Sequence, residues 1–269
     1  AGYSNTTATE NTYIGSSAGY FNTVSTGNTM IGRSAGINNT AGNNTFIGHS
    51  AGAINTTGTD NVFVGKEAGY NNTTATGNTF IGKFGYFSLN NNTTGENNTA
   101  LGYRSLFSNT TGSLNSANGA NALYANTSGN GNTANGYNAL LNNTTGNNNT
   151  ANGINSLALN SIGSSNTAYG ALTLVSNTTG DNNTATGAGA LYFNSTGYAN
   201  TAIGASALEN NTTGHGNTAT GFYALRGNTN GHYNTATGFE ALRNNGAGDN
   251  NTANGRGALY SNTGGNNNT

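Results

Sequence analysis

The chain has 269 residues, of which 6% are charged and 33% hydrophobic, and its formal net charge at pH 7 is −1. It contains no cysteine, which excludes a disulfide framework and a thiolate metal site. Its seven Lys and Arg residues are scattered rather than clustered, so a nucleic-acid partner is not expected. The sequence also predicts no membrane span, because its apolar runs fall far short of the roughly 20 residues required.

A short tandem repeat organises the chain. Its consensus is N-T-A-x-G-x-x-A-L-x-x-N-T-T-G-x-x, and we number the positions one to seventeen from the first Asn. Repeats start at sixteen residues from Asn11 to Asn268, and thirteen of the fifteen spacings are 17 residues. The exceptions are a spacing of 16 after Asn28 and one of 20 after Asn78. Such regularity is typical of repeat architectures and takes priority over other features of the sequence.

The repeat length favours a β-solenoid. Seventeen residues are too few for a helix-turn-helix unit, and Asn, Gly and Thr are poor helix formers. The segment T-A-x-G predicts one strand and x-A-L-x a second, whereas N-T-T-G-x-x is typical of a turn. We therefore predict an all-β, rod-shaped parallel β-solenoid (β-roll) of about fifteen 17-residue coils, part of a longer fibre. Disorder is the competing interpretation, but a disordered chain has no reason to repeat Leu every 17 residues from Leu106 to Leu259.

The early and the late repeats of the chain place their large side chain at different positions. In the first four marked repeats position three is large and position nine is Gly, whereas from Asn98 onward position three is Ala and position nine is Leu. This exchange predicts that the two positions face each other in one packed layer. We accordingly predict two solenoid domains, 1–90 and 91–269, with a junction near residues 84–92. The alternative is that two repeat lineages were fused and that the exchange of bulk between positions three and nine is accidental.

Position one is Asn in every marked repeat. Stacked coils would place these amides above one another, and buried amides require hydrogen-bond partners. The sequence therefore predicts a structural ladder, whose members after the junction are Asn98, Asn115, Asn132, Asn149, Asn166, Asn183, Asn200, Asn217, Asn234 and Asn251.

A second Asn, at position twelve, precedes Thr-Thr and often forms the N-glycosylation acceptor N-x-[S/T]. Because it lies in the predicted turn, we expect it to be exposed and able to carry a glycan in a source that makes N-linked glycans. A glycan coat would also protect a surface with so few charges from self-association. The candidates are Asn5, Asn55, Asn72, Asn92, Asn109, Asn126, Asn143, Asn177, Asn194 and Asn211.

Motifs for catalysis or cofactor binding are absent from the sequence: it contains no G-x-G-x-x-G, P-loop or H-E-x-x-H. We expect neither enzymatic activity nor a cofactor. At position sixteen, His215, His232 and Asp249 occupy consecutive coils and form a weak candidate for a divalent metal site, with three solvated turn residues as the alternative. At position ten, Glu209 and Arg226 predict a surface ion pair.

The repeat NTAIGASALENNTTGHG, from Asn200 to Gly216, resembles repeats of bacterial surface and tail-fibre-like proteins. More distantly it resembles the A-x-G-x-x-A head repeats of trimeric autotransporter adhesins. The resemblance implies a parallel β-roll fibre at a cell or virion surface with scaffolding or adhesive roles. The period of 17 differs from the adhesins' roughly 14, which leaves a trimer open, and the shared positions are structural.

The sequence thus favours a structural, non-catalytic protein that forms an extracellular fibril or filament, partnered by copies of itself and coated with N-linked glycans. The alternative is a trimeric adhesin or tail-fibre head that binds a surface or glycan. Ice binding ranks third. Thr recurs at positions two, thirteen and fourteen, but positions thirteen and fourteen are adjacent, and adjacent residues of a strand point to opposite sides and would not form one face.

Overall fold

The computed structural model describes residues 1–82 and 91–269. The described residues contain strands and turns but no helix, and hence no helix that could cross a membrane. The strands are β1 (Thr12–Ile14), β2 (Thr29–Ile31), β3 (Thr45–Ile47), β4 (Val62–Val64), β5 (Thr79–Ile81), β6 (Thr99–Leu101), β7 (Ser116–Asn118), β8 (Thr133–Asn135), β9 (Thr150–Asn152), β10 (Thr167–Tyr169), β11 (Thr184–Thr186), β12 (Thr201–Ile203), β13 (Thr218–Thr220), β14 (Thr235–Thr237) and β15 (Thr252–Asn254).

The chain forms two compact units, Ala1–Asn132 and Thr133–Thr269. In the first unit β1 to β7 pair in chain order, all parallel, and each strand is in register with the next. In the second unit β8 to β15 follow the same pattern. Each coil thus contributes positions two to four to a parallel sheet. The prediction of a parallel β-solenoid with 17-residue coils is confirmed.

The second strand predicted at positions seven to ten is wrong. Residues Tyr103–Ser108, which include these positions in their coil, form a turn. Arg104 at position seven and Leu106 at position nine have φ values of 56° and 51°, which lie in the left-handed region and not in the extended region of a strand. Ala and Leu are therefore buried at a corner of the coil rather than along a second sheet.

Positions three and nine face each other, as the exchange of bulk between them predicted. Met30, Phe46, Phe63 and Phe80 at position three are fully buried. A β-carbon added to Gly52 at position nine would lie 2.6 Å from Cε2 of Phe46, so the ring occupies the space of a position-nine side chain. After Asn98 the arrangement reverses, with Ala at position three and Leu at position nine both buried. Small residues at position eight, mostly Ala, complete this core.

The 16-residue repeat is shortened in the turn that follows position twelve. In the 16-residue coil the side-chain Nδ2 of Asn39 donates to the carbonyl oxygen of Ala41, two residues later, at 2.6 Å. In regular coils the corresponding acceptor lies three residues later, as for Asn55 and Gly58 at 2.9 Å. Most of the predicted junction at residues 84–92 lies outside the described residues. The division into domains 1–90 and 91–269 therefore stays a prediction.

Candidate functional site

The Asn ladder predicted at position one is confirmed. In the second unit the backbone N–H of Asn183 donates to Oδ1 of Asn166 at 3.0 Å, and its side-chain Nδ2 donates to the same oxygen at 3.1 Å. Nδ2 of Asn183 also donates to the carbonyl oxygen of Gly197, at 2.8 Å. Each amide is buried, and its donors and acceptor are satisfied by its own coil and the adjacent coils. The same bonds recur from Asn166 to Asn251.

Position twelve forms a second internal ladder, which the sequence did not predict. Nδ2 of Asn177 donates to Oδ1 of Asn160 at 2.7 Å, and Nδ2 of Asn194 donates to Oδ1 of Asn177 at 2.9 Å. In the first unit the corresponding bond from Asn109 to Asn92 is 2.9 Å. These side chains are fully buried in both units.

The expected exposure of the glycosylation candidates is therefore wrong for nine of the ten, and only Asn5 is exposed. The nine buried candidates are Asn55, Asn72, Asn92, Asn109, Asn126, Asn143, Asn177, Asn194 and Asn211. A glycan on Nδ2 would remove a donor from the ladder and has no room inside the coil. The turn forms as predicted, but its first side chain points inward.

Both ladders converge on the backbone carbonyl at position fifteen, which belongs to Gly in every coil of the second unit. The carbonyl oxygen of Gly180 accepts from Nδ2 of Asn166 at 2.8 Å and from Nδ2 of Asn177 at 2.9 Å. Glycine here permits a close approach rather than an unusual dihedral angle, and in two earlier coils Ser25 and Ala75 hold the position with the same bonds to their carbonyl oxygens. A β-carbon added to the equivalent Gly163 would lie 2.5 Å from Oδ1 of Asn160 and 2.5 Å from the carbonyl oxygen of Gly180. The Asn and the Gly of the N-T-T-G segment are thus buried hydrogen-bonding residues, whereas its second Thr is exposed, as at Thr179.

Hydroxyl groups at position thirteen add a third set of contacts between coils. Oγ1 of Thr178 donates to the carbonyl oxygen of Ser195 at 3.0 Å, and Oγ of Ser195 donates to that of Thr212 at 3.0 Å. In the first unit Thr110 donates to Thr127 in the same way, at 3.0 Å. Each turn is therefore held to the next turn by side-chain bonds as well as by backbone bonds.

The position-sixteen residues proposed as a metal site do stack, but their polar atoms bind the backbone. Nδ1 of His232 accepts from the backbone N–H of His215 at 3.2 Å, and Oδ1 of Asp249 accepts from that of His232 at 2.7 Å. The described residues contain no group of three or more His, Cys, Asp or Glu placed to hold a metal ion. The metal candidate is therefore wrong, and this column is one of side-chain acceptors, as Ser164 and Asp181 show in earlier coils.

The two imidazole rings of this column are close enough to affect each other's charge. The ring centroids of His215 and His232 are 3.9 Å apart, and Tyr198 stacks on the other side of His215 at 4.5 Å. Partial burial lowers the pKa of His215 below its ordinary value, and the neighbouring His232 lowers it further, whereas Asp249 acts in the opposite direction. The folded chain therefore favours the neutral form of His215.

The ion pair predicted at position ten is confirmed. Nε of Arg226 lies 2.6 Å from Oε2 of Glu209, and both side chains remain partly exposed. The guanidinium of Arg226 also lies over the ring of Tyr223, with its central carbon 4.5 Å from the ring centroid. These contacts stay on the surface and contribute little to stability.

Positions two and four point outward from each strand, whereas position three points inward. In β2, β3 and β4 the middle residue is buried and its two neighbours are partly exposed. Position four of β1 to β6 is aliphatic throughout: Ile14, Ile31, Ile47, Val64, Ile81 and Leu101. In the second unit the same position carries mainly Asn and Thr, and β11, β13 and β14 read Thr-Ala-Thr. Two-column Thr faces therefore exist, but at positions two and four rather than thirteen and fourteen.

No protein-family model matches the chain, and no curated protein matches it either.

The sequence held one signal for the second ladder. Position twelve stays Asn even where the acceptor motif is lost, as in Asn22-Thr-Val, Asn160-Ser-Ile and Asn245-Gly-Ala. A residue selected for glycosylation would not be kept without its Ser or Thr, whereas a buried amide in a ladder would be kept.

Proposed function

We propose that the protein is a structural, non-catalytic repeat protein that forms an extracellular fibril or filament with copies of itself. The observation that carries the proposal is the pair of buried Asn ladders, which repeat the same bonds at the same positions from coil to coil. Stability in such a stack is approximately a sum of coil terms and nearest-neighbour terms. Coils can therefore be added without a change in packing, which suits a load-bearing array.

The hydrogen-bond pattern favours stiffness along the stack. Oδ1 of Asn166 accepts two bonds from Asn183, and Oδ1 of Asn160 accepts one from Asn177. Chains of hydrogen bonds polarise one another, and buried amides are costly to leave unpaired. Separating two coils would break both ladders, the position-thirteen hydroxyl bonds and the backbone bonds together. This resistance is the property that a filament requires.

A surface location is supported by the resemblance to bacterial surface and tail-fibre-like repeats. We place the proposed N-linked glycans at position seventeen, where six acceptor asparagines have exposed side chains. They are Asn43, Asn97, Asn148, Asn182, Asn250 and Asn267. Glycopeptide mass analysis of the native protein tests this placement. The expected result is modification at these residues and bare Asn at position twelve, whereas an unmodified intact mass contradicts the glycan coat.

Negative-stain imaging of the purified protein, combined with mass-per-length measurement, tests the filament. The expected result is long fibres of uniform width, with a mass per length that corresponds to a whole number of 17-residue coils per strand spacing of about 4.8 Å. Short particles containing three chains, or monomers at all concentrations, would contradict a filament.

The alternative function is a trimeric adhesin or tail-fibre head. Large side chains on the surface favour it, since Phe193, Tyr198 and Tyr233 are 47%, 49% and 60% exposed. Exposed aromatic residues are common where proteins bind partners. Short trimers that adhere to cells or immobilised glycans are the outcome that supports this function.

Ice binding is the third function, and the Thr-Ala-Thr strands give it a specific basis. Their outward Thr side chains repeat at the strand spacing in two parallel columns, although Ile203 interrupts one column between β11 and β13. Measurement of thermal hysteresis decides the question, and its absence at high protein concentration contradicts ice binding.

A further inference from the structure

The outer face of β1 to β6 is an apolar stripe that runs across the first unit. We call this stripe, formed by positions two and four of these strands, the aliphatic face. Its position-four side chains are adjacent in register, since Ile31 pairs with Ile47 and Ile47 with Val64. Ile14, Ile81 and Leu101 are 58%, 40% and 43% exposed, and an open depression between Val64, Ile81 and Leu101 lies on the same face.

The chemistry of the aliphatic face is uniform. Position two supplies Thr in five of the six strands and Val62 in the sixth, so both columns present methyl groups. Neither column contains a charged residue, although Lys and Glu are the usual means by which sheets avoid association. The two columns themselves therefore carry no charge that would repel an identical face, and the cations nearest in sequence, Arg33 and Lys66, are exposed at position six. Contiguous exposed apolar stripes of this kind mark interaction sites.

The spacing of the aliphatic face selects its partner. One side chain per column recurs at each coil, at the strand spacing of about 4.8 Å. The side chains of a partner can interdigitate with those of every coil only when they recur at the same distance. A second copy of this chain meets that condition by construction, and two such sheets would pack face to face at about 10 Å, as β-branched side chains do in sandwiches and steric zippers.

The size of the aliphatic face limits how strongly a single pair of chains can associate. Six coils of about 4.8 Å and three residues of about 3.3 Å give on the order of 300 Å² per copy. Two copies would bury about 600 Å², which is below the roughly 1,200 Å² of a stable interface. Association becomes strong only where many such faces lie in line, because linked weak contacts reinforce one another.

We propose that the aliphatic face joins filaments of this protein side by side, by packing against the aliphatic face of a second copy. This inference rests on the proposed function, because it needs copies arranged in a filament. Isolated chains then stay monomeric while filaments form bundles.

The test compares two matched double variants. Ile47→Lys with Val64→Lys places charges at position four of β3 and β4, whereas Thr220→Lys with Thr237→Lys places them at position four of β13 and β14. Circular dichroism establishes that both fold, and imaging counts bundles and single filaments. The expected result is a loss of bundles in the first variant, with filaments of unchanged mass per length, and bundles as in the wild type in the second.

Other outcomes separate the two proposals. Bundles that persist in the Ile47 and Val64 variant, or wild-type filaments that never bundle, overturn the inference and leave the filament standing. An absence of filaments in every variant overturns the proposed function itself.

Cysteine cross-linking gives a second readout, because the natural chain contains no cysteine. Val64→Cys is expected to form disulfides between copies in bundles, while Thr237→Cys remains reduced. A Val64→Cys thiol that is shielded from a thiol reagent in the monomeric chain means that another part of the same chain covers the face, and this overturns the inference.

Discussion

The coils before Gly82 and the coils after Asn98 fill the same interior in opposite ways. In the former, Phe46, Phe63 and Phe80 stack with ring centroids 4.9 and 4.8 Å apart, and glycine at position nine makes room for the rings. In the latter, Ala at position three leaves that space to Leu at position nine. The backbone barely differs, since φ is 58° at Gly52 and 53° at Leu191.

The difference shows that the coil path is fixed and that the core volume can be supplied from either side. Glycine adopts a left-handed conformation without strain, whereas a residue with a β-carbon loses about 1–2 kcal/mol there. Burial of a Leu side chain contributes about 1.5–3 kcal/mol, which is enough to offset that strain. The later coils therefore tolerate a strained Leu in each repeat, while the earlier coils place their bulk on an unstrained strand residue.

The strongest test of this comparison is to exchange the two arrangements within one coil. Phe63→Ala alone leaves a cavity and is expected to lower the free energy of unfolding by about 3–5 kcal/mol. Gly69→Leu alone is expected to be at least as harmful, because its β-carbon would lie 2.5 Å from Cε2 of Phe63. The double variant should recover part of the loss, with a coupling energy of about 1–3 kcal/mol.

Hydrogen exchange of the backbone amides in the neighbouring coils measures these effects locally, which suits a repeat array better than a single midpoint of unfolding. Additive losses in the two single variants and the double variant would contradict direct contact between positions three and nine.

The ladders should be equally important in both regions. Asn72→Ala and Asn177→Ala each remove one rung from the position-twelve ladder and leave a buried amide and carbonyl without a partner. We expect each to lower the free energy of unfolding by about 2–3 kcal/mol, measured by urea denaturation. The control is Asn142→Ala, because Asn142 is exposed and its φ is not positive, and it should change the free energy of unfolding by less than about 0.5 kcal/mol. A large loss in the free energy of unfolding for only one of the two variants would show that the ladder does not stabilise both regions.

The strain at position nine predicts an unusual order of variants. Leu191→Gly and Leu191→Ala both lose the buried side chain, but only Gly relieves the left-handed backbone. The Gly variant should be the more stable of the two by about 1 kcal/mol. At Ala190, where φ is not positive, Ala190→Gly should instead be less stable than the wild type by about 0.5–1 kcal/mol. Thermal melting of the three variants measures both differences. If Leu191→Ala were more stable than Leu191→Gly, the backbone at Leu191 would not be strained.

The smallest effect concerns pH and belongs to the later coils alone. Because the pKa of His215 is lowered in the folded chain, the unfolded chain binds a proton first as the pH falls below the ordinary value of 6.5. Stability is therefore expected to fall slightly between pH 7 and 5. His215→Asn, which copies Asn130 and Asn147 at the same position, should reduce this loss in a comparison of melting temperatures. An unchanged pH dependence would assign the loss to other groups.

Local pattern was sufficient to predict much of the fold. The 17-residue period, the T-A-x-G strand, the position-one ladder and the facing of positions three and nine all follow from which residues recur at which interval. These features depend on stacking alone, because stacked equivalent residues must be compatible with their own kind. The Glu209 and Arg226 pair follows from the same reasoning, as does the column from His215 to Asp249.

The errors share one origin. The sequence indicated that x-A-L-x is a strand and that N-T-T-G is an exposed turn, and both errors concern the direction in which side chains leave a bending backbone. Leu106 lies at φ 51°, where a corner buries it, and Asn109 begins a turn whose first side chain points inward. Composition does not reveal such directions, since Asn, Thr and Gly are equally typical of surface turns and of internal hydrogen-bonding turns.

By itself, the sequence determined that this protein repeats one coil and stacks equivalent residues, because periodicity is a property of the chain. Only the tertiary structure decided which positions are inside. Four positions per coil, as at Gly102, Arg104, Leu106 and Leu114, adopt positive φ, and their combined effect turns position twelve inward and leaves position four outward. That outcome depends on the combined dihedral angles of a whole coil and on its packing against the adjacent coils, and no single residue determines it.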